Sequence, residues 1–150
     1  MEIKFKKLHP TATIPTYAKF GDAGMDMTAV HISYTEDYIE YDTAIAVEIP
    51  EGYVGLLFPR SSNSKKDLLL CNGIGVVDSG YRNSVRFRYK VTKHTHENLP
   101  ENIGISFNGY KIGERIGQLI ILPFPKIEMI EVEELSDTER GTGGFGHSGS

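Results

Sequence analysis

Sixteen glycines and seven prolines interrupt this 150-residue chain so regularly that no segment sustains a 3.6-residue apolar period over the roughly 10 to 12 residues of a packed helix. A two-residue alternation takes its place. It is clearest over residues 84–92, where Val85, Phe87, Tyr89 and Val91 share one face and Arg86, Arg88 and Lys90 the other, the pattern of a half-buried strand. Shorter runs of the same kind cover residues 3–8, 25–30, 43–49, 53–58, 103–112, 115–122 and 127–132, each bounded by Gly, Pro, Asp or Asn. Many short strands separated by regular turns predict an all-β barrel or sandwich. The one helical candidate is 61–67, at most about two turns, with Ser61 or Ser62 as N-cap.

A chain of this length folds as one domain and buries roughly 70% of its unfolded surface without disulfides or a structural metal. The strand pattern ends near residue 135. Residues 136–150 carry five glycines from Gly141 onward and almost no apolar side chain except Phe145, so they are expected to form a mobile arm attached to a β-domain of residues 1–135. The 16 Lys and Arg against 20 Asp and Glu leave a net charge of −4, which argues against general nucleic-acid binding but leaves room for a local anion site. No apolar run approaches the roughly 18 residues of a membrane span, and the N-terminus lacks a signal-peptide core, so a cytoplasmic protein is expected. The single cysteine, Cys71, follows three leucines and reads as a core residue.

Four places could carry chemistry. Pro59-Arg60-Ser61-Ser62 sets a guanidinium and two hydroxyls at the end of an apolar strand, a good grip for phosphate. Asp78, within Gly75-Val76-Val77-Asp78-Ser79-Gly80-Tyr81-Arg82, is delivered by a strand into a turn, where a carboxylate either caps the turn or deprotonates a water. Asp26 lies between Met25 and Met27, facing outward or held by a buried partner. Residues 141–148 have the spacing of a phosphate loop with His147 in the lysine position, but the helix such a loop requires does not follow. Its glycine amides and Arg140 could still contact phosphate oxygens. His94 and His96 lack a third ligand of suitable spacing and read as loop residues, and the Arg86, Arg88, Lys90 ribbon reads as a solvated strand face.

Taken in order, Ala23-Gly24-Met25-Asp26, Pro59-Arg60-Ser61-Ser62, Gly75 to Arg82, Arg115-Ile116-Gly117-Gln118-Leu119 and Arg140-Gly141-Thr142-Gly143-Gly144-Phe145-Gly146 resemble the five motifs of the homotrimeric dUTPase family. The resemblance implies a jelly-roll-like β-barrel, a homotrimer with active sites at subunit interfaces, and Mg²⁺-dependent hydrolysis of dUTP to dUMP and pyrophosphate. That reaction limits uracil incorporation into DNA and supplies dUMP. It implies Asp78 as general base, Tyr81 under the deoxyribose, and a hairpin containing Asn72, Gly75 and Val77 whose backbone reads uracil. Arg60, Ser61, Ser62 and Gln118 would hold phosphates, Arg140 the γ-phosphate, and Phe145 would cover the base. Gly143, Gly144, Gly146 and Ser148 would add amides and a hydroxyl, with Mg²⁺ held by phosphates and water rather than by side chains. The chain departs from the family pattern at Asn63-Ser64, at His147, and at Asn83, where a glycine is usual and where asparagine is expected to tolerate left-handed angles. A dCTP deaminase of the same fold and a non-enzymatic nucleotide-gated regulator are the competing readings.

Overall fold

In the computed structural model, which describes residues 1–92 and 107–143, the alternating segments become ten short strands. They are β1 (Lys4–Lys7), β2 (Met25–Thr28), β3 (His31–Tyr34), β4 (Ile39–Asp42), β5 (Ile45–Glu48), β6 (Tyr53–Phe58), β7 (Leu68–Leu70), β8 (Gly75–Val77), β9 (Arg86–Val91) and β10 (Arg115–Pro123). All pairings are antiparallel. One four-stranded sheet has the order β2-β10-β6-β8, a second β3-β4-β9-β7, and β1 and β5 form a two-stranded ribbon. The class is all-β as expected; among the described residues the strands form three separate sheets and do not close into a continuous barrel.

The two larger sheets share one core. Met27, Leu57, Val77, Ile116 and Leu119 come from the first, and Ile39, Tyr41, Leu68, Leu70, Phe87 and Tyr89 from the second. Tyr41, Tyr89 and Tyr110 pack edge-on or tilted with centroids 5.8 Å apart. Their polar ends are satisfied: the Tyr89 hydroxyl donates to the Ile116 carbonyl across the sheets at 2.6 Å, and the Tyr41 hydroxyl accepts the Tyr110 amide at 3.2 Å. Burial pushes the Tyr41 hydroxyl up to about 12 and raises that of Tyr89 further. Gly117 is required where it stands, because a Cβ there would fall inside the Phe87 ring.

Several expectations change. Residues 61–67 hold only a 3-10 turn, Ser61–Lys65, capped by neither serine; Arg60 occupies the N-cap position without a side-chain cap bond. Residues 127–132 pair with no strand among the described residues and lie exposed, since alternation makes a strand amphipathic but only a partner makes it a ladder. Residues 107–112 are likewise not a strand, and 103–106 fall outside the described residues, as do His94 and His96. Cys71 is exposed rather than core: Leu68 and Leu70 point inward, so the two-residue period turns Cys71 outward. Asn83 is not left-handed. Among the described residues the sole non-glycine with positive φ is Ala44, at 51°. Arg86 and Arg88 are half-exposed but paired, to Asp42 and Glu40 of the neighbouring β4, so the basic ribbon is one side of a cross-strand ion ladder.

Candidate active site

The candidate side chains gather in two places, each created by the way strands end. The first surrounds Asp26 on β2. Pairing with β10 sets Gln118 opposite Asp26, and a bulge between Arg115 and Gly117 shifts the register by one residue. Arg115 and Gln118 are three apart and would point to opposite faces of a regular strand; the bulge brings both to Asp26. On the other side of β10, Gln118 pairs with Phe58, so the chain leaving β6 delivers Arg60 to the same carboxylate. Arg60 Nε donates to Asp26 Oδ1 at 2.9 Å, Arg115 Nη1 to Oδ2 at 2.9 Å, and Gln118 Nε2 to Oδ1 at 3.4 Å. Arg60 also donates to Ser62 Oγ at 3.2 Å. Asp26 is only 6% exposed, whereas the Arg115 side chain is 52% exposed. Two guanidinium groups against one carboxylate leave an excess positive charge with outward-facing N–H donors, the requirement for an anion site.

The second place is a cavity of about 540 Å³ whose walls include Asn72, Gly75, Val77 and Tyr81. Its geometry follows from a hairpin that splits. β7 is the last strand of one sheet and β8 the last strand of the other, so the Cys71–Ile74 turn joins two sheet edges that diverge. An edge strand leaves one row of backbone N–H and C=O groups without a ladder partner. The turn is made by Gly73, in the left-handed region at φ 64°, and its root is tied by the Cys71 amide donating to the Arg88 carbonyl at 2.9 Å. Gly75 packs tightly, since a Cβ would meet Leu57 at 3.0 Å and require it to shift. Arg88, which also lines the cavity, lies 4.5 Å from the centre of the Tyr38 ring and bonds Glu40 at 2.8 Å, and that carboxylate holds its guanidinium in the charged form.

Beyond β8 the chain turns at Asp78, with the Tyr81 amide donating to the Asp78 carbonyl at 3.0 Å. The Asp78 carboxylate is exposed and accepts no hydrogen bond from the described residues. Tyr81 reaches the cavity wall, and its hydroxyl donates to the Ser84 carbonyl at 2.8 Å.

The sequence-derived residues thus divide. Arg60, Ser62 and Gln118 join Asp26; Asn72, Gly75, Val77 and Tyr81 line the cavity, which no member of the Asp26 group borders. Ser61 is exposed, with its carbonyl accepting from Ser64. Arg140 joins neither group. Its Nε donates to the Gly143 carbonyl at 3.0 Å within a local turn whose Gly141 has φ 53°. Gly144, Phe145, Gly146, His147 and Ser148 lie outside the described residues. Arg115 was not singled out from sequence as a site residue; the Arg-x-Gly-Gln spacing signals it only once the bulge is known.

The family model described as dUTPase matches residues 10–149. The deoxyuridine 5'-triphosphate nucleotidohydrolase of Hydrogenobaculum is 34% identical over 153 residues, covering 99% of both chains. That of Nautilia profundicola is 39% identical over 152 residues with the same coverage. Among solved structures, the dUTPase of Staphylococcus bacteriophage 80alpha with dUpNHpp superposes with a TM-score of 0.82 at 30% identity, covering 99% of each chain.

Proposed function

The chain belongs to the dUTPase family, and from that premise we propose that it hydrolyses dUTP to dUMP and pyrophosphate by attack of water on the α-phosphate. The observation that carries the reading is the split hairpin. A cavity bounded by two diverging strand edges offers main-chain donors and acceptors at fixed positions, which suits the alternating acceptor and donor edge of uracil. Tyr81 at its rim is suited to lie under the sugar and exclude a 2′-hydroxyl. Asp78, one turn earlier, keeps its lone pairs open to solvent, as a general base acting on water requires.

Phosphoanhydride hydrolysis needs charge neutralisation and an aligned water more than covalent chemistry. In this reading Arg60, Ser61, Ser62 and Gln118 bind the phosphates of a substrate seated in the cavity of a neighbouring subunit, since within one chain they do not border that cavity. Arg140, Gly143, Gly144, Phe145, Gly146 and Ser148 close over it. Mg²⁺ fits this donor set as an ion carried by the triphosphate and water: Asp26 is saturated by two guanidinium groups, and the described residues bring no three His, Cys, Asp or Glu side chains together. When bound, it neutralises phosphate charge.

The homotrimer is part of the same proposal. Phe124, Ile127, Met129, Ile130, Val132 and Leu135 form an exposed apolar strip that one subunit leaves uncovered. Its Glu128, Glu131, Glu133 and Glu134 complement Lys4, Lys6 and Lys7 on β1, the unpaired side of the two-stranded ribbon. Light scattering behind size exclusion should give three times the subunit mass. The decisive assay is pyrophosphate release from dUTP, dCTP, dTTP and UTP with Mg²⁺: strong preference for dUTP supports the reading, and ammonia release from dCTP would replace it with a deaminase.

A further inference from the structure

The turn carrying Asp78 and Tyr81 is fastened at its far end by residues that none of the five motifs contains. At the end of β4 the chain bends through Asp42-Thr43-Ala44-Ile45, and the left-handed Ala44 lets the bend wrap around Ser84 and Val85. Thr43 contributes its amide at 3.2 Å and its hydroxyl at 2.7 Å to the Val85 carbonyl, while the Val85 amide donates to the Ile45 carbonyl at 2.8 Å. Thr43, Ser84 and Val85 are each no more than 2% exposed.

Asp42 holds this clasp together. Its Oδ1 accepts the Ala44 amide at 2.7 Å and the Ser84 hydroxyl, and its Oδ2 accepts Arg86 Nε at 3.1 Å. The Ser84 amide donates to the Asn83 side-chain oxygen at 2.7 Å, and the Ser84 carbonyl receives the Tyr81 hydroxyl. Every polar group of Ser84 is therefore engaged, and the position of the Tyr81 ring is set through a buried serine by a carboxylate on another strand. Asn83, the departure from the usual glycine, belongs to the same chain of contacts.

We infer that Asp42 is a positioning residue for sugar discrimination, acting through Ser84 on Tyr81; the inference rests on the dUTP-hydrolysing reading above. All three donors reaching Asp42 require an acceptor. In Asp42→Asn the charge that strengthens the bonds from Ala44 and Ser84 is lost; with the amide oxygen toward them those bonds become neutral and the NH₂ faces Arg86, and with the amide flipped the NH₂ faces the Ala44 amide, so the clasp weakens in either orientation. A ring free to shift no longer blocks a 2′-hydroxyl.

The test measures kcat and KM for dUTP and UTP in the full chain, its Asp42→Asn and Ser84→Ala variants, Tyr81→Phe, and the Asp42→Asn/Tyr81→Phe double variant. Asp42→Asn and Ser84→Ala should each reduce the dUTP-to-UTP ratio of kcat/KM about tenfold, the size associated with one hydrogen bond to a charged group. Tyr81→Phe should do the same, and the double variant should fall no further than the larger single effect. A purely structural Asp42 would lower the active fraction for both substrates equally and leave the ratio unmoved; that result, or effects that multiply in the double variant, overturns the inference. Hydrogen exchange without nucleotide gives an independent arm. The Tyr81 and Ser84 amides should exchange faster in Asp42→Asn, and unchanged protection there refutes the clasp even if the wild type proves inactive on dUTP, which would instead refute the functional reading.

Discussion

Asp26 and Asp78 are both carboxylates delivered by strands of the same sheet, yet their surroundings are opposite. Asp26 is buried and accepts from Arg60, Arg115 and Gln118; the Asp78 carboxylate is exposed and accepts no hydrogen bond from the described residues. A carboxylate that organises cations must be saturated and dry, because each bond it accepts fixes a donor in place. One that takes a proton from water must keep a lone pair free and reachable. In the proposed reading, the same residue type serves architecture or chemistry according to how many donors the fold aims at it.

Substitutions can break that comparison. Asp26→Ala leaves two guanidinium groups without their carboxylate and should cost about 3 kcal/mol of stability, the lower end of the range for broken buried pairs because Arg115 is half exposed. Urea unfolding measures it, and a loss within about 0.5 kcal/mol would show the cluster to be ordinary surface. Asp78→Asn should do the reverse: kcat lower by at least about 100-fold, KM nearly unchanged, and an unchanged urea midpoint. Were KM alone to rise, Asp78 would be a binding group.

Tyrosines repeat the contrast on a smaller scale. Tyr81→Ala should lower dUTP turnover and narrow the preference for dUTP over UTP by about tenfold, with little effect on folding, since the ring lies at the cavity rim. An unaltered ratio of kcat/KM would refute the steric role. Tyr41 is the saturated counterpart. Its folded-state value near 12 lies above the ordinary phenol value near 10, so between those values the unfolded chain ionises first and stability falls as pH rises. Tyr41→Phe should remove about 1 kcal/mol of the decline between pH 10 and 11, measured by denaturant titration at each pH. Identical slopes would mean that the hydroxyl is not sealed.

What the sequence made legible follows physical scale. β9 and β10 are six and nine residues long, enough for a two-residue period to declare itself; β7 and β8 have three residues each, and Leu68-Leu69-Leu70 carries no alternation to read. The split hairpin was therefore visible as a motif, not as two strands in different sheets. Arg60 is legible as an anion-binding type and Gln118 only through the family resemblance, while their shared partner Asp26 reads as exposed or paired, because 34 and 92 residues separate it from them. Residues 127–132 alternate as a strand does, and the pattern alone does not say which chain supplies the partner.

The position of β10 has a kinetic consequence. It enters the sheet between β2 and β6, strands that precede it by many residues, and carries Ile116 and Leu119 into the core and Arg115 and Gln118 to Asp26. Until that strand arrives, β2 and β6 have no common neighbour, the Tyr89 hydroxyl lacks its carbonyl, and Asp26 lacks the Arg115 and Gln118 donors. The most non-local pairing in the topology, β2 with β10, whose loop-closure entropy must be overcome before its contacts form, is thus also the one that completes the donor set around Asp26. A chain stalled before it would retain at most the Arg60 contact to Asp26, so the full cluster is acquired only with the closing strand of the sheet.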